Sequence, residues 1–393
     1  MYSLPYIFIF ILLFVLSIPI VNTNKRNINI IWQYYAVFFI LAVFIGFRGF
    51  IFTDWRLYYA YYQEVPLLTD GINNIVSFLT KSKYSVYEKG FSLFTIIIKT
   101  LSTDYFIYQF LSFSIDLIIL FYFFKYYIPD YILLGFVFFF MFNGVIGLGI
   151  EINFLRNAKA LMLFLISVKY AQEKNIIVYS ILNILGIFFH ISSIIYLLIY
   201  PFLNRRFNYI TYIMVFLLGN IIYLLQLNYL TIVLKMCSSI FGGQLSYVIE
   251  RYINNQHWNT SYGISIGYLE RIFTYIFVLC FSRRLVIRYS NIIFINSVFL
   301  YVLSYLYFSE MKILTDRIPL LFAFSYWIIY PQIYSLLKKD FKYLFLFLFL
   351  LYSFLKILSG HSSILNLYDN ALFLQYDYQE RLRSLNSYFM GTK

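Results

Sequence analysis

The chain has 393 residues, of which 62% are hydrophobic, 23% aromatic and only 12% charged, and continuous apolar runs alternate with charged or Asn/Gly-containing turns. This pattern predicts an all-α polytopic integral membrane protein and excludes an outer-membrane barrel, whose strands would alternate in polarity over about ten residues. The formal charge of +13 is spread in small basic groups between the runs, which suits topology signals and phosphate contacts and excludes a nucleic-acid surface.

Residues 1–21 carry no basic n-region and no small-residue cleavage site, so about Leu4–Val21 is expected to be a first membrane helix and not a signal peptide. Lys and Arg gather in cytoplasmic loops, so Lys25 and Arg26 put the N-terminus outside. The span Ile30–Gly46 leads outward to Arg48, Asp54 and Arg56. Residues 66–87 read as an external loop. Phe91–Leu101, opened by Glu88, is short for a span and is expected to be re-entrant or interfacial. Tyr105–Phe124 comes in to Lys125, Ile132–Leu148 goes out, Leu155–Tyr170 returns to Lys169 and Lys174, and Ile176–Phe189 goes out to His190. Ile191–Leu203 then returns to Arg205 and Arg206; a single helix from Ile176 to Leu203 is the rival, and it breaks the charge rule.

Tyr209–Leu225 goes out to the largest external loop, about residues 226–263, with Gly242, Gly243, Glu250, Arg251, His257 and Trp258. Ile264–Phe281 comes in to Arg283, Arg284 and Arg288, and Ile292–Phe308 goes out to Glu310, Lys312, Asp316 and Arg317. Ile318–Leu336 returns to Lys338 and Lys339, and Tyr343–Leu358 goes out. The charge rule thus gives about twelve transmembrane helices plus one re-entrant or interfacial helix. They form one domain over residues 1–358, with external loops at about 47–90 and 226–263 and a polar tail at 359–393 on the outer side.

This topology gathers Arg48, Asp54, Arg56, Glu88, Glu151, Arg156, His190, Asp316 and Arg317 on the outer side, where ionisable groups at the membrane boundary pair or serve a substrate. Arg156 and Arg317 are each expected to open an inward helix, whose N-terminus adds partial positive charge and N–H donors. With Arg48 in support they could hold a diphosphate, for which the planar guanidinium fork is suited. His190 is the first candidate for a general base, with Asp54 and Glu88 next.

Blander readings stand beside these. Arg48 and Arg56 could snorkel to head groups, His190 could bond a carbonyl or Ser192, Glu88 could cap the following helix, and Asp316–Arg317 could be a local ion pair. Trp55, Tyr58, Tyr59, Tyr61 and Tyr62 fit an interfacial aromatic belt better than a sugar-stacking surface. No HExxH, DxD or Cys/His spacing calls for a metal, and no nucleotide fingerprint calls for a cofactor. Cys237 and Cys280 are expected on opposite sides, so no disulfide joins them.

Several short patterns occur in order over residues 30–330: Arg48-Gly49 followed by Thr53-Asp54 and Tyr58; Tyr87-Glu88-Lys89-Gly90-Phe91; Asn153 with Leu155-Arg156-Asn157-Ala158 and Ala160; Phe189-His190 with Ser192; and Asp316-Arg317-Ile318. The series resembles the EpsG-type branch of the Wzy-like polysaccharide (O-antigen) polymerases. Lys89 stands where that family often has Pro, Asn157 where Gln is common, and Ile191 where a small or basic residue is frequent. The resemblance implies a GT-C-like fold that joins undecaprenyl-diphosphate-linked oligosaccharide units of an O-antigen, capsule or exopolysaccharide. The transfer would occur at the periplasmic or outer face of a bacterial inner membrane. Implied partners are the lipid-linked oligosaccharides, membrane lipids and a chain-length regulator protein, with no nucleic acid.

Two other classes stay open. A lipid-linked oligosaccharide flippase or transporter should line a path with charge, whereas mid-span charges are few, notably Asp116. A multispan polysaccharide O-acyltransferase needs an acyl donor from the cytoplasm, whereas the charge rule puts His190 outside.

Overall fold

The structure, a computed structural model, describes residues 2–22, 30–85, 87–143, 149–241, 250, 253, 263–360, 363–373 and 377–391. The expectations for Lys25, Arg26, Gly242, Gly243, Arg251, His257 and Trp258 fall outside these residues. Among the described residues the regular structure is helical, apart from one isolated bridge between Arg48 and Asn370. Helices satisfy their own backbone groups, which an apolar chain in lipid requires.

Tyr105–Tyr127 and Lys339–Gly360 are long and apolar enough to cross a membrane, and two bent helix pairs raise that number to as many as four. Six shorter apolar helices accompany them. This is the make-up of a multi-pass membrane protein.

By their contacts the residues fall into two compact units, Met1–Tyr200 with Leu337–Lys393, and Pro201–Leu336. In the first unit the helices are α1 (Leu4–Asn22), α2 (Ile30–Leu41), α3 (Trp55–Glu64), α4 (Ile72–Lys81), α5 (Lys89–Leu101), α6 (Tyr105–Tyr127), α7 (Ile132–Met141), α8 (Gly149–Asn153), α9 (Leu155–Gln172) and α10 (Ile176–Phe189). Helices α9 and α10 form a tight antiparallel pair, with Asn183 of α10 donating to Ser167 of α9 at 2.9 Å. Helix α10 ends because His190 is extended, at φ −159° and ψ 132°, so Ile176 to Leu203 is not one continuous helix.

Two expectations are revised here. The loop expected over residues 66–87 contains α4, whose apolar face buries Ile75 and Phe78 against Tyr61 of α3. The span expected over Ile132–Leu148 ends as a helix at Met141. Helix α5 has 13 residues, or about 20 Å of length, well under the about 30 Å of a hydrocarbon core.

The polar tail folds back on residues 47–52. Gly49 N–H donates to the Asp369 carbonyl at 2.8 Å and Ala371 N–H to the Phe47 carbonyl at 2.8 Å. Arg381, from the helix Tyr378–Gly391, donates through Nε and Nη2 to the Phe50 carbonyl at 2.8 and 2.6 Å. A Cβ at Gly49 would lie 2.2 Å from the Asp369 carboxylate, so glycine is what lets the two segments meet.

In the second unit, Ile292–Tyr307 packs against both Tyr209–Leu225 and Ile266–Tyr289. Arg271 lies over the ring of Tyr305 at 4.0 Å and donates to Tyr301 Oη at 3.1 Å, beside Glu270.

Candidate active site

The site grows from three backbone ends in the first unit. Helix α5 begins at Lys89 with Glu88 at its N-cap, yet the Glu88 side chain makes no capping bond. Its carboxylate reaches across instead: Oε2 accepts from Arg156 Nη1 at 2.5 Å and Oε1 from the Ile191 backbone N–H at 3.3 Å. One side chain therefore ties the start of α9 to the turn after α10. The cap reading of Glu88 is thereby excluded.

The approach depends on Gly90, where a Cβ would stand 2.7 Å from the Phe188 carbonyl oxygen. Only a residue without that atom lets the N-terminus of α5 touch the C-terminus of α10 at this distance.

Arg156 is the second residue of α9, at the helix N-terminus where a cation adds to the positive end of the peptide dipoles. Its guanidinium lies 4.6 Å above the Tyr87 ring, and its buried Nε has no hydrogen-bond partner among the described residues. Arg156 and Glu88 keep 25% and 18% of their side-chain surface exposed, so a ligand can approach.

The His190 ring stands with Nδ1 at 2.7 Å from Ser192 Oγ, which in turn lies 2.9 Å from Asn157 Oδ1. The Ser192 reading of His190 therefore holds for one ring nitrogen. It leaves the chemistry of the other unaddressed.

Asp54 lies alongside. Its backbone N–H donates to Asn153 Oδ1 at 3.4 Å and its Oδ1 accepts from Thr53 at 2.9 Å. Tyr58 links Asp54 to the cation electrostatically: burial pushes its phenol up to about 12, Arg156 pulls the other way, and Asp54 adds to the rise. Tyr58 is thus a neutral hydroxyl at physiological pH.

Arg48 sits elsewhere. It is 3% exposed, so it is no head-group anchor, and its Nη1 donates to the Ile45 carbonyl at 2.7 Å. Glu151 and Asp116 are its charged neighbours; the Lys159 ammonium pairs with Asp116 and donates to the Ser112 carbonyl at 2.7 Å. Arg317 belongs to the second unit and is exposed. It ends the six-residue helix Lys312–Arg317 and does not open a helix, because Pro319 disfavours helical backbone in the residue before it and lacks an N–H to continue the ladder.

Sequence reasoning named Ser192 only as a rival partner for His190, left Asn157 without a role and did not single out Lys159 or Arg271. Lys159 had a usable signal, since an amine within an apolar helix needs a partner and Asp116 was the notable charge inside another. No group of three or more His, Cys, Asp or Glu suited to a metal occurs among the described residues.

Comparison with known proteins gives one family match, to the model described as the EpsG family, over residues 31–377. No curated protein and no solved structure matches.

Proposed function

The chain belongs to the EpsG family, which is of Wzy-like polymerase type, and from that premise we propose that it polymerises undecaprenyl-diphosphate-linked oligosaccharide units by glycosyl transfer at the outer face of a bacterial inner membrane. A chain-length regulator would be its protein partner. The observation that carries the reading is the shared carboxylate: Glu88 holds Arg156 on one oxygen and the His190–Ser192 turn on the other. A cation and a proton acceptor are thereby kept side by side.

Glycosyl transfer from a lipid diphosphate needs both. His190 takes the proton of the acceptor hydroxyl as its oxygen bonds to the anomeric carbon. The bond from that carbon to the diphosphate oxygen breaks, and the lipid diphosphate leaves with the electron pair. Arg156 carries the growing negative charge through its fork. Its unpaired Nε–H supports this role, because a buried unmet donor costs about 1–3 kcal/mol that a phosphate oxygen would remove. Asp54 stands as a second proton acceptor beside them.

The test is polymer formation by purified protein in lipid, given the lipid-diphosphate repeat unit and no nucleotide sugar. Long chains from the wild type, lost in His190→Ala and Arg156→Ala, are the expected result. No elongation by folded protein with the host's own repeat unit would overturn the reading in favour of a transporter or an acyltransferase.

A further inference from the structure

From Phe47 to Asp54 the chain is not helical, so its backbone polar groups must find partners outside a helix ladder. The C-terminal segment supplies them. Tyr368 Oη donates to the Phe44 carbonyl at 3.0 Å, Asn370 Nδ2 to the Val43 carbonyl at 2.9 Å, and Phe52 N–H to the Leu365 carbonyl at 2.9 Å. Phe50 is gripped on both of its backbone groups by charged side chains. Its N–H donates to Asp369 Oδ2 at 3.1 Å, and its carbonyl accepts from Nε and Nη2 of Arg381. Both side chains are buried, where an ionised group is costly unless its hydrogen bonds are strong.

What this grip holds is a strained turn. Phe52 has φ +66°, a left-handed backbone in which the Cβ of an L-residue crowds the following carbonyl. Such a conformation persists where its surroundings dictate it. Here the Leu365 carbonyl fixes the Phe52 N–H, and Trp55 Nε1 donates to the Phe52 carbonyl at 3.1 Å. Two residues later Asp54 N–H donates to Asn153 Oδ1 at 3.4 Å, three positions before Arg156, and α3 sets out with Tyr58 on its first turns. The direction of the chain at Phe52 therefore decides where the Asp54 carboxylate stands.

We propose that Arg381 and Asp369 are positioning residues of the candidate site: by clamping Phe50 they hold the left-handed turn at Phe52 and so place Asp54 beside Asn153 and the start of α9. This rests on the glycosyl-transfer reading above, in which Asp54 is the second proton acceptor. The C-terminal segment then shapes the site without touching the substrate.

Amide hydrogen exchange of the full-length protein in lipid reads the clamp without substrate. In Arg381→Ala, residues 47–54 should exchange faster than in the wild type, with α6 and α9 as protected as before. Polymer formation from the lipid-diphosphate repeat unit reads the consequence. Arg381→Ala should lower kcat roughly ten- to a hundredfold with KM within about twofold, the scale of a catalytic group slightly misplaced. Arg381→Lys keeps a charged donor for the Phe50 carbonyl and should recover most of that loss. Because Arg381 acts through Asp54, adding Arg381→Ala to Asp54→Asn should cost no more than about a further twofold. A role in stability alone would not depend on Asp54. Asp369→Ala removes the acceptor of the Phe50 N–H and leaves the Gly49–Asp369 backbone bond; it should follow the same pattern, and it serves where Arg381→Ala yields too little folded protein.

Wild-type exchange over residues 47–54 in both alanine variants, or a double variant whose loss is the full product of the single losses, would overturn the proposal. A wild type that makes no polymer, while the exchange loosens as expected, would sink the functional reading and leave the clamp intact.

Discussion

Arg156 and Lys159 leave α9 about one turn apart, and each meets a single carboxylate from another segment, yet the two pairs are built for different ends. Lys159 and Asp116 are 6% and 1% exposed, and the ammonium is further engaged by the Ser112 carbonyl. Arg156 and Glu88 keep 25% and 18% of their surface, and the guanidinium retains an unpaired Nε–H. Residue type does not separate a structural ion pair from a site here; burial and uncommitted donors do. The buried pair commits the Lys159 ammonium to Asp116 and the Ser112 carbonyl and welds α9 to α6. The partly exposed pair leaves one Arg156 donor uncommitted among the described residues.

The comparison breaks most visibly at Lys159. Lys159→Met would leave the buried Asp116 carboxylate without its ion-pair partner and with only the more weakly acting Arg48 as a cationic neighbour, a loss of up to about 3–5 kcal/mol, and folded protein in detergent should fall sharply by size-exclusion and thermal unfolding. Adding Asp116→Leu removes the stranded charge and should restore most of the folded protein. A double variant as poor as the single would mean that Lys159 matters by packing and not by pairing.

Arg156→Lys should behave in the opposite way. The charge stays, the fork is lost, and the protein level should match wild type while polymer formation drops about 10²–10³-fold, the scale of losing a donor to a developing anion. Near-normal polymer would reduce Arg156 to an anchor.

How far the site is legible in sequence differs from residue to residue. The end of α10 at Phe189 can be read because the apolar run gives way to His190, Ser192 and Ser193, and because the charge rule already disfavours one helix through to Leu203. The start of α9 at Arg156 is legible for a similar reason, at the edge of an apolar run. Helix α4 is not, since its exposed polar face outweighs the few apolar residues it buries and the stretch reads as loop. Arg317 illustrates a competing local rule: the apolar run that follows suggests a helix start, while Pro319 dictates a helix end. The return of Leu365, Asp369, Ala371 and Arg381 onto residues 47–52 is a contact more than 300 positions apart in the chain, beyond any local pattern. Gly49 marks the place, but not the partner. The Glu88–Arg156 bond is likewise a long-range pairing that topology could bring to one side and only coordinates could join.

The smallest expected effect is the most specific to the site. Gly90→Ala adds one methyl, 2.7 Å from the Phe188 carbonyl oxygen and 2.9 Å from its carbon, and backbone atoms cannot swing aside as a side chain would. The N-terminus of α5 must therefore back away from α10, at a cost of about 1–3 kcal/mol. Glu88, two residues earlier, is drawn off the Ile191 N–H, which it holds at only 3.3 Å. Gly71→Ala is the matching control: its φ of +88° makes a side chain strained there, and no atom stands within 4 Å of the added Cβ. That substitution should cost about 1–2 kcal/mol of backbone strain and leave the Glu88 contacts untouched. At equal loss of stability, the Gly90 variant should therefore make less polymer than the Gly71 variant. Equal polymer from the two would mean that the carboxylate bridge between Arg156 and the His190 turn does not govern the reaction, and the contrast between the half-exposed and the buried pair would lose its functional half.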